Sequence, residues 1–182
     1  FELARRTNLF IYAVEPDPAK VEVARQKLTA AGLYVSRVVV HERSPKATHS
    51  PRFFANLVVS GRSISAGAAS LARTEAHRLQ RPYGGVVCVG HPGAMEKHVR
   101  GALAGAGKWT HQYADPANTS CSGDPVRGPL RTLWYREIQQ DLTQRHGRGP
   151  APLFSDGRLF SEGLDSLVAV DAYNGRTLWE FP

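Results

Sequence analysis

The stretch LFIYAVEPDPAKVEVARQKLTAAG, residues 9 to 32, leaves little freedom in how the chain can fold. Leu9 to Val14 form a short apolar run rich in β-branched and aromatic side chains, which predicts a strand covered on both faces. Glu15 ends it. Asp17 stands where a helix N-cap belongs and Pro18 where the first helical residue belongs, because that turn leaves a backbone N–H without a partner and proline has none to leave. Val21, Ala24, Leu28 and Ala31 then recur on one face of a helix, and Gly32 supplies a left-handed closure. Strand, turn and amphipathic helix together are the unit of an open parallel sheet. Ligands bind in the crevice at the carboxyl edge of such a sheet, and an acid there can accept both hydroxyl protons of a ribose. Glu15 occupies that position.

In this arrangement the chain resembles the class I S-adenosylmethionine-dependent methyltransferases, whose second strand ends in such an acid. The resemblance implies that Glu15 holds the ribose hydroxyls of S-adenosylmethionine and that Pro16 touches its adenine. Arg37 to His41, RVVVH, is a second β-rich run ended by Glu42. The resemblance places Glu42 at the adenine amino group, whereas an exposed loop acid is the plain reading of the same residue. An acid after a second strand would also serve a dinucleotide-binding domain of the nicotinamide type.

Phe53 to Ser60, FFANLVVS, reads as a strand in a central position, with Asn56 as a structural hydrogen-bonding residue. Neither an acid nor an Asn-Pro-Pro sequence ends it, so the methyltransferase pattern offers no catalytic residue here. Ala69, Ala72, Ala76 and Leu79 mark a helix from about Ala66 to Gln80, stopped by Arg81-Pro82. Gly84 and Gly85 lead into a strand from Val86 to Val89, and RLQRPYGGVVCVG is similar to the methyltransferase stretch that enters the fifth strand. Met95, Val99 and Leu103 predict a last helix over Ala94 to Ala104. Alternating elements over residues 1–106 thus predict a truncated Rossmann-like, three-layer α/β unit, with strands near Leu9, Val38, Leu57 and Val87 in one mostly parallel sheet. Phe1 to Arg6 reads as the end of a helix, so the first strand and glycine-rich loop are expected upstream, and this stretch alone is expected to lack complete methyltransferase activity.

Residues 107–150 are rich in Pro, Gly, Asn, Asp and Ser and read as an irregular connector, including RHGRGPAP from Arg145. His111, Asp115, Asn118 and Asp124 fit no metal-ligand spacing, and turn formation accounts for the Asp and Asn residues, so no metal site is expected. In residues 151–182, GRLF from Gly157 and SLVAVDA from Ser166 read as short strands. Asn174-Gly175 is a hairpin signal, because both central residues of a type I′ turn need positive φ. DSLVAVDAYNGRTLWEF resembles the repeat of pyrroloquinoline-quinone (PQQ)-type β-propellers through Asp171, Ala172, Gly175, Leu178, Trp179 and Glu180. The resemblance implies part of one PQQ-like blade, with the remaining blades of a larger chain as its partners. It does not imply bound PQQ, since several blades build that site. An isolated hairpin is marginal in water, so this one is expected to be poorly anchored. A scaffold or binding protein built on a PQQ-like propeller is therefore the alternative to a methyltransferase-like one.

Composition narrows the remaining classes. A net charge of +7 attracts polyanions, but the basic residues are scattered and not interleaved with stacking aromatics, so no specific nucleic-acid partner is expected. No apolar run reaches the roughly 18 residues of a membrane span and no basic-then-apolar leader opens the chain, which predicts a soluble protein. Cys88 and Cys121 have no metal-ligand spacing, and Cys88 reads as a small core residue.

Overall fold

The fold comes from a computed structural model that describes residues 1–68, 72–126, 128–136, 150–163 and 165–182. Helix α1 (Glu2–Arg6) leads to strand β1 (Ile11–Glu15), helix α2 (Pro18–Ala30) and strand β2 (Val38–Glu42). The turn before α2 is built as its residues require. Asp17 caps the helix, Pro18 opens it, and Gly32 at φ +68° follows its end. Strands β1 and β2 pair in parallel, and Val21 and Leu28 of α2 close a core with Ala4, Val38 and Val40. Arg37 ties α1 to β1 by donating to the carbonyls of Thr7 and Leu9. Only one face of this sheet carries α2. On the other face Tyr12 is 49 % exposed, and Leu9 and Phe10 lie outside the strand and in contact with solvent, so the expectation of a strand covered on both faces is corrected.

Strand β3 (Leu57–Val59) is shorter than the run Phe53 to Ser60 predicts. Phe53 adopts φ +60°, and residues 53–55 hydrogen-bond to the end of the following helical region, with Phe53 N–H donating to Arg78 O and Ala55 N–H to Leu79 O. Leu57 and Val59 are half exposed because β3 is an edge strand, not a central one. The helix expected over Ala66 to Gln80 is two helices, α3 (Gly61–Ala66) and α4 (Arg73–Leu79). Gly67, at φ +75°, ends the first, and Ala69 lies outside the described residues. Ser60 caps α3, and buried Ser63 accepts the Gly90 N–H.

Strand β4 (Val86–His91) pairs in parallel with β3 and antiparallel with β5 (Ala94–Val99). The helix expected over Ala94 to Ala104 is therefore corrected to a strand. His91 pairs with Ala94 across Pro92-Gly93, and Gly93 at φ +87° gives the Pro-Gly order of a type II turn. Gly90 is needed here as well, since a Cβ would stand 2.4 Å from Ala94 O. The chain is thus mixed α/β, but β1-β2 and β3-β4-β5 are separate sheets, and the parallel pairs do not join into the single sheet expected. Residues 53–55 bond instead to the end of α4, where Ala55 makes an isolated parallel bridge with Gln80.

Strands β6 (Leu153–Ser155), β7 (Arg158–Glu162), β8 (Leu167–Asp171) and β9 (Thr177–Phe181) form a four-stranded antiparallel meander in sequence order. The type I′ signal operates at Asp156-Gly157, where φ is +49° and +77°. At Asn174-Gly175 only Gly175 has positive φ, and the loop is longer than two residues because Asp171 N–H bonds Arg176 O. The connector touches this sheet at the β6 edge, where Trp109 bridges to Phe154, and at the β8-β9 loop, where Trp134 Nε1–H donates to Ala172 O. Its tail from Arg145 to Gly149 lies outside the described residues.

The meander is anchored, contrary to the expectation for an isolated hairpin. Ala169 and Asp171 have no exposed surface, and Tyr173 sits between Phe53 and Tyr83 at ring distances of 5.6 and 6.2 Å.

Candidate functional site

Parallel register determines the arrangement at the carboxyl end of β1 and β2. Glu15 pairs with Glu42, so two carboxylates stand on adjacent strands, which lie about 4.8 Å apart in any sheet. Glu15 is half-buried, and its Oε1 accepts the Asp17 N–H at 3.1 Å. Its carbonyl accepts the Arg43 N–H, which continues the pairing one step past β2. Asp17 is occupied by the helix: Oδ1 accepts from Ala19 N–H at 3.0 Å and Lys20 N–H at 3.4 Å. The Lys20 amide, foremost, holds the Asp17 carboxyl below the usual range, with the Ala19 amide adding to it. Pro16 is exposed on the turn between Glu15 and Asp17, and Glu42 is exposed at the strand end. Glu15, Pro16 and Glu42 are thus brought together at one sheet edge, where the carboxylates can accept hydrogen bonds from hydroxyl or amino groups.

The loop after Glu42 is fixed by a residue that periodicity did not single out. Glu75, on the inner side of α4, is 8 % exposed. Its Oε1 accepts from Thr48 N–H at 2.9 Å and Thr48 Oγ1–H at 2.5 Å, while Arg78 closes on both oxygens at 2.7 and 2.8 Å. A bidentate guanidinium with two further donors favours the carboxylate strongly. Arg78 foremost, followed by Thr48, overcomes the cost of burial and lowers the Glu75 carboxyl to about 2. Arg43 completes the tie by donating to Thr48 O at 2.9 Å. The signal was local: Glu75 and Arg78 are three apart on a helix, a spacing at which opposite charges meet.

A second polar cluster joins the α/β region to the meander. Asp171 Oδ2 lies 2.8 Å from Arg81 Nη1, and the aspartate is completely buried. Its Oδ1 accepts the Tyr173 N–H at 3.0 Å. Asn174 Nδ2 donates to Asn56 Oδ1 and to Phe54 O, so Asn56 does act as a structural hydrogen-bonding residue. Gly157 lies against the Tyr83 ring, where a Cβ would come within 2.8 Å of a ring carbon. The strings RPYGG and VDAYNG, which stand out separately in the sequence, are thereby in contact.

The polar residues of the connector serve its turns. Asp115 accepts from Ala117 N–H, Thr119 N–H and Thr119 Oγ1–H, and Asp124 accepts from Gly107 N–H. Among the described residues no group of three or more His, Cys, Asp or Glu is placed to hold a metal ion, and no helix is long and apolar enough to cross a membrane. Cys88 is half-buried and Cys121 exposed, both as free thiols. No family model, no curated protein and no solved structure matches this chain.

Proposed function

We propose that the chain is a binding scaffold in which a methyltransferase-like α/β unit carries a PQQ-like propeller blade, without a complete catalytic centre of its own. The observation that supports this reading is the buried contact of Asp171 with Arg81, which fastens the two family-like strings to each other. A charge pair of this kind holds two elements in one geometry, because separating them leaves a charge buried without its partner. The outer strand β9 is exposed throughout, with Leu178, Trp179 and Phe181 at its surface, and the remaining blades of a larger propeller are the partners this reading assigns to it. Hydrogen exchange tests the fastening. Val168 to Val170 amides should be protected as strongly as those of Val86 to Val89. Rapid exchange in the meander beside a protected β4 would refute a scaffold function that depends on a rigid joint.

The register pair Glu15 and Glu42 favours a second reading, a nucleoside-binding edge for S-adenosylmethionine or a dinucleotide. Calorimetry separates the two. The scaffold reading predicts no micromolar affinity for S-adenosylmethionine, whereas micromolar binding abolished in Glu15→Ala would establish the nucleoside site and remove the first reading's claim that the centre is incomplete.

A further inference from the structure

Of the four asparagines in the chain, Asn174 alone is followed by glycine. Such a pair is prone to succinimide chemistry, because glycine has no side chain to keep its nitrogen away from the asparagine amide carbon. The Gly175 nitrogen bonds to Asn174 Cγ, the Cγ–Nδ2 bond breaks, and the amide group leaves as ammonia with the Gly175 proton. Water then opens the five-membered imide at either carbonyl, adding its hydroxyl to carbon and its proton to nitrogen. The net change consumes one amide and one water and yields ammonia and one carboxyl group, as aspartate or isoaspartate. No oxidant or cofactor takes part.

The fold restrains each reacting atom. Gly175 N–H donates to Asp171 O at 2.8 Å, so the proton of the attacking nitrogen is engaged. Asn174 Nδ2 lies 3.2 Å from Phe54 O, which can only accept, so the side-chain nitrogen must face it. Its second hydrogen goes to Asn56 Oδ1 at 3.0 Å, and Asn174 Oδ1 accepts the Arg176 N–H at 3.2 Å. Loss of ammonia therefore breaks both bonds that Asn174 makes across the joint. Trp134 adds a cover: a Cβ on Gly175 would come within 2.6 Å of its ring, and its own Nε1–H is tied to Ala172 O.

We propose that Asn174 is a deamidation site, guarded while the β8-β9 loop is docked and reactive once it opens, whose conversion to a carboxylate weakens the return of the loop. The direction of the hydrogen-bond chain carries the second half. Asn56 turns Oδ1 to Asn174, which leaves its Nδ2 facing Asp171 Oδ2 at 3.5 Å. A carboxylate at position 174 has no hydrogen to give to Phe54 O or to Asn56 Oδ1. If Asn56 turns its amide over to serve the new carboxylate, its oxygen meets the Asp171 carboxylate instead. Either arrangement sets acceptor against acceptor in a part-buried site, beside a buried aspartate already paired with Arg81. A transient opening is thereby made lasting.

The full chain, native or unfolded in urea, is incubated at neutral pH, and mass spectrometry of the peptide spanning residues 159–176 follows the exchange of –NH2 for –OH. Reaction samples the open population of the loop, so the native chain should deamidate at least about tenfold more slowly than the unfolded one. Trp134→Ala and Asn56→Ala each remove one restraint and should raise the native rate about tenfold with an unchanged circular dichroism spectrum. Asn174→Asp reproduces one product directly, and its Val168 to Val170 amides should exchange about tenfold faster than in the original chain. Asn174→Ala, which adds neither acceptor nor charge, should fall between the two. Equal native and unfolded rates, native rates that ignore both Trp134→Ala and Asn56→Ala, or Asn174→Asp amides that exchange no faster than those of Asn174→Ala would each overturn the proposal.

Discussion

Replacing Asp171 with alanine tests the joint between the α/β region and the meander most directly. The carboxylate has no exposed surface and accepts from Arg81 at 2.8 Å and from the Tyr173 amide at 3.0 Å. Arg81 is itself only 19 % exposed, and its Nε is buried with no hydrogen-bond partner. The guanidinium in Asp171→Ala thus retains its charge in a site with little water, and breaking one side of such a pair costs about 3 to 5 kcal/mol. That is a large share of the stability of an ordinary domain, about 5 to 15 kcal/mol. Urea denaturation monitored by tryptophan fluorescence is a suitable assay, because Trp134 contacts the β8-β9 loop and Trp179 lies in β9, while far-ultraviolet circular dichroism reports the helices. The fluorescence transition should move to lower urea by the amount stated. A double variant, Arg81→Met with Asp171→Leu, removes both charges and should recover most of the loss. A cost below about 1 kcal/mol for Asp171→Ala, the range of an exposed pair, would refute the reasoning. So would a double variant no more stable than the single one.

Two further effects follow from the titrating groups. Glu75 ionises at about 2 in the folded chain against an ordinary 4.5, so its contribution is present above pH 4.5 and lost as pH falls toward 2. Stability measured against Glu75→Gln should therefore shrink by about 3 kcal/mol across that window, and a constant difference would show that the Arg78 and Thr48 contacts do not favour the carboxylate. Tyr173 has its phenol pushed up to about 12, by burial first and by Tyr83 next, so the folded chain keeps a proton that the unfolded chain releases near 10. Compared with Tyr173→Phe, the protein should lose about 2 to 3 kcal/mol between pH 10 and 12, and an absorbance titration showing all tyrosines ionising near 10 would contradict it.

What could be read from the sequence depended on whether the deciding partner was local. The cap at Asp17, the proline at Pro18 and the buried pair Val21 and Leu28 are all set within one helix, and the structure has each of them. Ala94 to Ala104 misled because Met95, Val99 and Leu103 do have helical spacing, yet every residue of β5 is exposed, so that spacing reflected no buried face. The Pro92-Gly93 turn was the better signal, since it acts on the backbone without needing a core. The juxtaposition of Glu15 and Glu42 was legible once two parallel strands were placed in register. The contacts of Asp171 were not, because nothing near it in sequence distinguishes a buried aspartate from one in a turn. Arg81 looked like a helix stop and Asp171 like part of a repeat; only the folded chain makes them a pair.

The same joint constrains the order in which the chain can fold. The hydrogen bonds of Asn56 to Asp171 and Asn174 close loops of 115 and 118 residues, whereas β4-β5 and the meander turns close loops of a few residues. Short loops form in microseconds, and contacts between distant residues come late because their closure entropy must be met first. Arg81 therefore stays hydrated until the β8-β9 loop reaches it. A ribosome-bound chain that stops before Asp171 would display a hydrated cationic turn at Arg81, with Tyr83 uncovered beside it, on an α/β region that is otherwise able to form its local structure.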